Sequence, residues 1–305
     1  LFGFAGIIVI GASLLCPIIV KYFGIQSAFW VFSGCMILAL LWLIFVVDET
    51  LPIHKRKQKN TIKYENPFKI FIEARDNKIL RWFCIVAFIT AIPESGLNDM
   101  LTSYCNDQLD LCGDSDGNND TTSKDALFTT VLGASLLCTQ LIGMPILTKC
   151  IGMSDTGLFI IGLLTLQIMM FCGGLLYFIP NLIVAMGIFA SFGGSYLLSP
   201  ILDGSLSKRL NDEDQGIGIG VVHGVKGITS AFAPYLFAGL YNLFDKDKFL
   251  VITPFVVGSV ISIFGFIIVL GPLRKVMNRF DENQLRKGKV PVQQDENENK
   301  MIINS

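Results

Sequence analysis

The feature that most constrains this chain is the recurrence of apolar runs long enough to cross a bilayer. FSGCMILALLWLIFVV (Phe32 to Val47) and FLVITPFVVGSVISIFGFIIVLG (Phe249 to Gly271) are two of them. About 20 apolar residues at 1.5 Å rise match a hydrocarbon core of roughly 30 Å. No water is present at that depth to take backbone hydrogen bonds, so such a run must be a helix that satisfies its own N–H and C=O groups. Too many runs of this length recur for them to be core helices of a soluble domain. A composition of 52% hydrophobic and 16% charged residues, with mean hydropathy +0.57, agrees. The sequence predicts an all-α polytopic membrane protein.

A membrane-scale window places about eight spans, near residues 2–20, 27–47, 79–101, 126–148, 155–178, 182–206, 216–243 and 249–271. Three polar segments interrupt them: a basic linker at 48–78, an acidic loop from Thr102 to Asp125, and a tail at 274–305. Lys55, Arg56, Lys57, Lys59 and Lys63 of the linker share one face with Lys149, Lys208, Arg209 and the tail's Arg274, Lys275 and Arg279. The other face carries only Lys21, Lys124, Lys246 and Lys248. That asymmetry predicts a cytosolic linker and C-terminus, with the acidic loop outside or luminal. Asn119-Asp120-Thr121 is then a glycosylation sequon on the correct side. Cys105 and Cys112 flank NDQLDL in the same loop and can form a disulfide if it is luminal. The remaining cysteines read as small packing residues. No C-x-x-C pair supports a metal or redox site, and no cofactor is expected. Plasma membrane and endomembranes fit equally well.

Several residues stand out from the apolar background. Glu94 lies in AIPESGLND, where Pro93 and Gly96 predict a helix break. It either binds a proton or a cationic group, or it satisfies amides freed by the break, or it sits in water near the outer interface. Lys226 sits roughly three turns inside a later helix; it either serves a substrate, pairs with Asp203, or snorkels to the interface. His223, nearby, is weighed as structural. Gly216, Gly220 and Gly224 form a small-residue stripe that would admit a neighbouring backbone. Gln140 and Gln167 are mid-span polar groups that either line a pathway or hydrogen-bond between helices.

These pieces, in this order, resemble the major facilitator superfamily, in the branch of tetracycline-resistance-like and hippocampus-abundant-transcript-like transporters. ASLLCPIIVKYFG (Ala12 to Gly24) is similar to the fifth-helix antiporter motif around Pro17, with Cys16 where glycine is usual. DETLP (Asp48 to Pro52) is similar to the close of the sixth helix, and NPFKIF with AIPESG to the seventh. Leu198 to Phe244 resembles the tenth and eleventh helices, with Lys226 where relatives tend to have Arg. The resemblance implies a major-facilitator-type bundle in which this chain supplies helices 5–12. Residues 1–47 would be the last two helices of the first half, and 79–273 the six-helix second half. The chain opens at Leu1 inside an apolar run, which on this plan means that four helices precede it. Expected partners are the bilayer, a small-molecule solute and, if transport is coupled, protons, with no nucleic acid. The function expected is secondary active transport by alternating access. The alternative is a non-transporting receptor or scaffold on the same fold. An enzyme is not expected, since no catalytic constellation occurs.

Overall fold

The computed structural model describes residues 2–46, 77–109, 119–210, 212–244 and 250–288. Its helices are α1 (Phe2–Phe23), α2 (Ile25–Phe45), α3 (Lys78–Gln108), α4 (Asn119–Cys138), α5 (Asp155–Phe178), α6 (Leu182–Ser195), α7 (Leu198–Ser207), α8 (Asp212–Phe244), α9 (Thr253–Ile268) and α10 (Arg274–Gly288). π-helical turns at Thr139–Gly143 and Ile146–Cys150 prolong α4, and another at Val269–Leu273 joins α9 to α10. No strand occurs among the described residues. Seven helical stretches are long and apolar enough to cross a membrane, with α6 and α7 counted as one, and Ile7–Phe23 of α1 is a shorter apolar stretch. The chain is an all-α polytopic membrane protein.

Local chemistry fixes the helix ends. The Asn77 side chain accepts from the amides of Ile79 (3.0 Å) and Leu80 (3.4 Å) at the start of α3. Asn181 does the same for Ile183 at α6, and Ser154 for Gly157 at α5. Gly24, at φ 80°, makes the single-residue turn from α1 to α2. Inside the bundle α3 packs against α8, α4 and α5 against α6, and α9 against α3 and α5. One apolar cluster gathers Phe83, Phe159, Leu202, Val222 and Leu273, and a second gathers Tyr104, Phe128, Phe192, Phe237 and Phe255. Small residues let these helices close up. A methyl group on Gly193 of α6 would lie 2.7 Å from Ser135 Cβ and 2.9 Å from the Leu132 carbonyl oxygen of α4. α1 packs on α4, where Gly133 meets Val9 and Ile10, while α2 rests chiefly on α1 and buries none of its described residues.

The outer face between α5 and α9 is what lipid requires. Phe171, Ile168, Val256, Val260 and Ile263 are exposed there, and four of them line an apolar groove of about 640 Å³. Exposed apolar surface is the default where the solvent is hydrocarbon.

Four expectations need correction. The break at Glu94 is absent: α3 runs unbroken through Pro93. A proline removes one donor only, and the neighbouring helices hold the rest, with Gly96 receiving the Phe237 ring of α8. No neighbour among the described residues approaches the α8 stripe at Gly216 or Gly220, which have open space around them; the close contact is at Gly218, against Leu210. The acidic loop is partly helical, since α3 continues to Gln108 and α4 begins at Asn119. Tertiary contacts carry α3 past the bilayer length: Tyr104 is fully buried, donates to the Gly173 carbonyl at 2.8 Å and packs on Phe255. The tail begins as α10, whose Met277 is buried while Val276 and Phe280 pack on the first apolar cluster.

An ion-pair clamp pins α10 in place. Arg209, 8% exposed at the end of α7, donates to Asp155 Oδ2 of α5 (2.6 Å), to the Ser205 carbonyl (2.9 Å) and to Asp281 Oδ2 of α10 (2.9 Å). Lys208 adds a 2.9 Å contact to the other Asp155 oxygen. Burial works against the guanidinium charge, but the hydrogen bonds to Asp281 and Asp155 outweigh it and hold the pKa above the ordinary arginine value. The linker at 48–76 lies outside the described residues.

Candidate functional site

Opposed to the apolar exterior is a polar seam between α3, α7 and α8. On α8, the steps from His223 to Lys226, Ser230, Pro234 and Tyr241 are three, four, four and seven residues, which keeps all five on one helix face. His223 to Tyr241 is 18 residues, about 27 Å at 1.5 Å each, close to the roughly 30 Å of a hydrocarbon core. The stripe therefore traverses most of a membrane.

α7 and α8 form an antiparallel hairpin, and its register selects the partners along the seam. Lys226 Nζ donates to Ser199 Oγ at 3.0 Å. One turn along, His223 Nε2 meets Asp203 Oδ2 at 3.2 Å. Beyond that, Gln215 Nε2 donates to the Ser207 carbonyl at 3.1 Å. The expected pairing of Asp203 with Lys226 is thus corrected: the register sets Lys226 against Ser199 and gives Asp203 to His223. The second Asp203 oxygen is buried without a hydrogen-bond partner among the described residues.

In the other direction the seam opens into two adjoining cavities between α3 and α8. One, of about 410 Å³, is lined by Glu94, Ser95, Asn98, Ser199, Lys226 and Ser230, among others. The other, of about 600 Å³, shares Ser230 and Pro234 with the first and continues to Ser103, Tyr241 and Asn242. Ser95 Oγ and Ser230 Oγ hydrogen-bond between the walls at 2.7 Å. At the far end the Tyr241 hydroxyl donates to Asp107 Oδ2. Glu94 and Lys226, on different helices, thus face one cavity. Among the described residues the Glu94 carboxylate has no hydrogen-bond donor and no cation within 4.0 Å.

The other sequence candidates fall elsewhere. Gln140 donates to the Tyr196 carbonyl at 3.1 Å, in the turn between α6 and α7. Gln167 donates to the Ser259 carbonyl at 2.9 Å and accepts from its hydroxyl at 2.8 Å, behind the lipid-side groove. Both connect helices. Pro17 lies inside α1, and Gly224 is half-buried beside the seam. Asn119 opens α4, but its side chain lies outside the described residues, as does Cys112; Cys105 is buried at the end of α3. No group of three or more His, Cys, Asp or Glu among the described residues could hold a metal ion. Residues that sequence reasoning missed are Ser95, Ser199 and Ser230. The usable signal was the polar spacing on α8, which also places His223 on the seam.

No family model matches the chain. It is similar to Hippocampus abundant transcript 1 protein of Mus musculus and of Homo sapiens, at 24% identity over 219 residues, covering 70% of this chain and 42% of each relative. It is also similar to Hippocampus abundant transcript-like protein 1 of Homo sapiens, at 20% identity over 215 residues, or 69% of this chain and 40% of the relative. The chain therefore spans about two-fifths of the length of these curated relatives. The likenesses support the hippocampus-abundant-transcript side of the resemblance and not the tetracycline-resistance side. This chain is a multi-pass helical membrane protein whose sequence is distantly similar to the Hippocampus abundant transcript proteins.

Proposed function

We propose that this chain forms one wall of the solute pathway of a secondary active transporter, which moves a small organic solute by alternating access. The observation that carries the reading is the seam: opposite charges, hydroxyls and cavities lie along one face of an otherwise apolar bundle, through nearly the depth of a bilayer. Ionisable groups at such depth are expensive and mark pathways by default. The packing of α1 on α4, with α2 resting chiefly on α1, supports reading 2–45 as part of a first bundle set against a second formed by α3 to α9. The Arg209 end, with Lys208 and α10, carries the basic residues and is the cytosolic end on this reading. Glu94 serves as the proton-coupling candidate. A receptor or scaffold on the same fold is the second reading; the engagement of Gln140 with the Tyr196 carbonyl and of Gln167 with Ser259, which ties both to neighbouring helices rather than to a pathway, favours it. The test is uptake by proteoliposomes holding the intact protein, over a panel of organic solutes, with and without a pH gradient. Flux of any of them above empty vesicles is expected, whereas binding without flux throughout would favour the receptor.

A further inference from the structure

Glu94 and Lys226 present opposite charges to one cavity of about 410 Å³, from α3 and from α8. They do not pair. Lys226 Nζ is held by the neutral Ser199 hydroxyl at 3.0 Å, and no cation of the described residues lies within 4.0 Å of the Glu94 carboxylate. Around them the walls are hydroxyls and an amide, from Ser95, Asn98 and Ser230, with apolar Ala91 and Pro234 between. The two charges attract across the cavity without touching, and at membrane depth a ligand that sets a group of opposite sign against each gains on both. A neutral solute completes neither charge. A cation completes Glu94 and is repelled by Lys226; an anion does the reverse. A molecule carrying both a cationic and an anionic group, of which an ammonium with a carboxylate is the smallest common pair, completes the two together.

Resting on the transport reading above, we propose that this cavity takes a zwitterionic solute of amino-acid type, its carboxylate on Lys226 and its ammonium on Glu94. The Ser95–Ser230 pair and Asn98 then supply hydrogen bonds to the polar remainder. The volume lies within the range of small-molecule sites, about 300–1,000 Å³, and holds a single amino acid or a short peptide.

The test uses the intact protein, with binding measured in nanodiscs and flux measured in parallel in proteoliposomes. The probes are glycine, leucine, phenylalanine and glycyl-leucine as zwitterions. Their partners are 3-methylbutan-1-amine, which is leucine without its carboxylate, 4-methylpentanoate, which is leucine without its ammonium, and glucose as a neutral solute. At least one zwitterion should bind, and the singly charged analogues should bind roughly tenfold or more weakly. Glu94→Gln and Lys226→Met should each lose about that much, whereas the exchange Glu94→Lys with Lys226→Glu should recover binding, because a zwitterion can turn end for end. Equal or better binding of glucose, the amine or the acid would overturn the proposal, and so would an exchange variant as weak as the single variants. Absence of binding by every zwitterion would overturn it too. The two readings fail separately: zwitterion binding without flux rejects transport and keeps the site, whereas flux of glucose or of one singly charged probe keeps transport and rejects the zwitterion.

Discussion

Replacing Gly193 by alanine tests the helix packing where it is tightest. The new methyl group would sit 2.7 Å from Ser135 Cβ, 2.8 Å from Ser135 Oγ and 2.9 Å from the Leu132 carbonyl oxygen. Carbon contacts settle at about 3.5–4.0 Å, so α6 and α4 must part by nearly 1 Å, and backbone cannot swing aside as a side-chain tip can. Overpacking of this kind costs about 1–3 kcal/mol. Parting also weakens the hydrogen bond from Ser135 to the Ala190 carbonyl, worth roughly 0.6 kcal/mol as interhelical bonds average in membranes. Alanine returns up to about 1 kcal/mol of helix propensity, leaving a net loss of about 0.6–2.6 kcal/mol when that is returned in full. Gly216→Ala and Gly220→Ala meet nothing among the described residues within 4 Å, so they should be neutral or stabilised by up to about 1 kcal/mol. Unfolding of the three variants by SDS titration in mixed micelles, followed by tryptophan fluorescence, gives the comparison. If Gly193→Ala matches Gly216→Ala within about 0.5 kcal/mol, the close approach of α4 and α6 is wrong.

Arg209→Ala removes the clamp. The Asp155 contact, at 7% and 13% exposure, dominates over that to the half-exposed Asp281, and Lys208 partly compensates, so a loss of about 2–3 kcal/mol is expected. Hydrogen–deuterium exchange should rise across 274–288 ahead of the rest of the bundle. Tyr104→Phe deletes the bond to the Gly173 carbonyl inside a dry contact and should lower stability by about 1 kcal/mol with no change in helix content by circular dichroism. Lys226→Arg should keep uptake while Lys226→Ala loses roughly tenfold or more, and equal activity of the two would mean that the charge is not used. Glu94→Gln should abolish the dependence of uptake on an imposed pH gradient, and an unchanged dependence would remove Glu94 from coupling.

What could be read from the sequence follows from which forces are local. Spans are legible because hydrocarbon imposes length and composition residue by residue, and α5 was bounded at 155–178 from hydropathy alone. The end of α3 was not, because Tyr104 and Asp107 extend it through contacts with Gly173 and Tyr241 that no window contains. Glu94 and Lys226 were visible as charges out of place. Their surroundings were not, since the register of α7 against α8, rather than any motif, assigns Ser199 to Lys226 and Asp203 to His223. A small-residue stripe shows that a helix can be approached closely without showing which face is approached, hence the misreading of Gly216 and Gly220. The Arg209 clamp joins residues 54 and 72 positions apart, beyond any local pattern.

Water access along the seam tests the pathway most directly. Ser230→Cys lies in the cavities between α3 and α8, and Ile263→Cys lies on the exposed apolar side of α9. Each is placed in the protein in nanodiscs and exposed to a charged, membrane-impermeant thiol reagent, with labelling counted above that of the parent protein. Labelling of Ser230→Cys but not of Ile263→Cys, and its suppression by a transported solute, is the predicted result. Equal protection of both positions would mean that lipid or protein fills the seam, and the pathway would have to lie elsewhere.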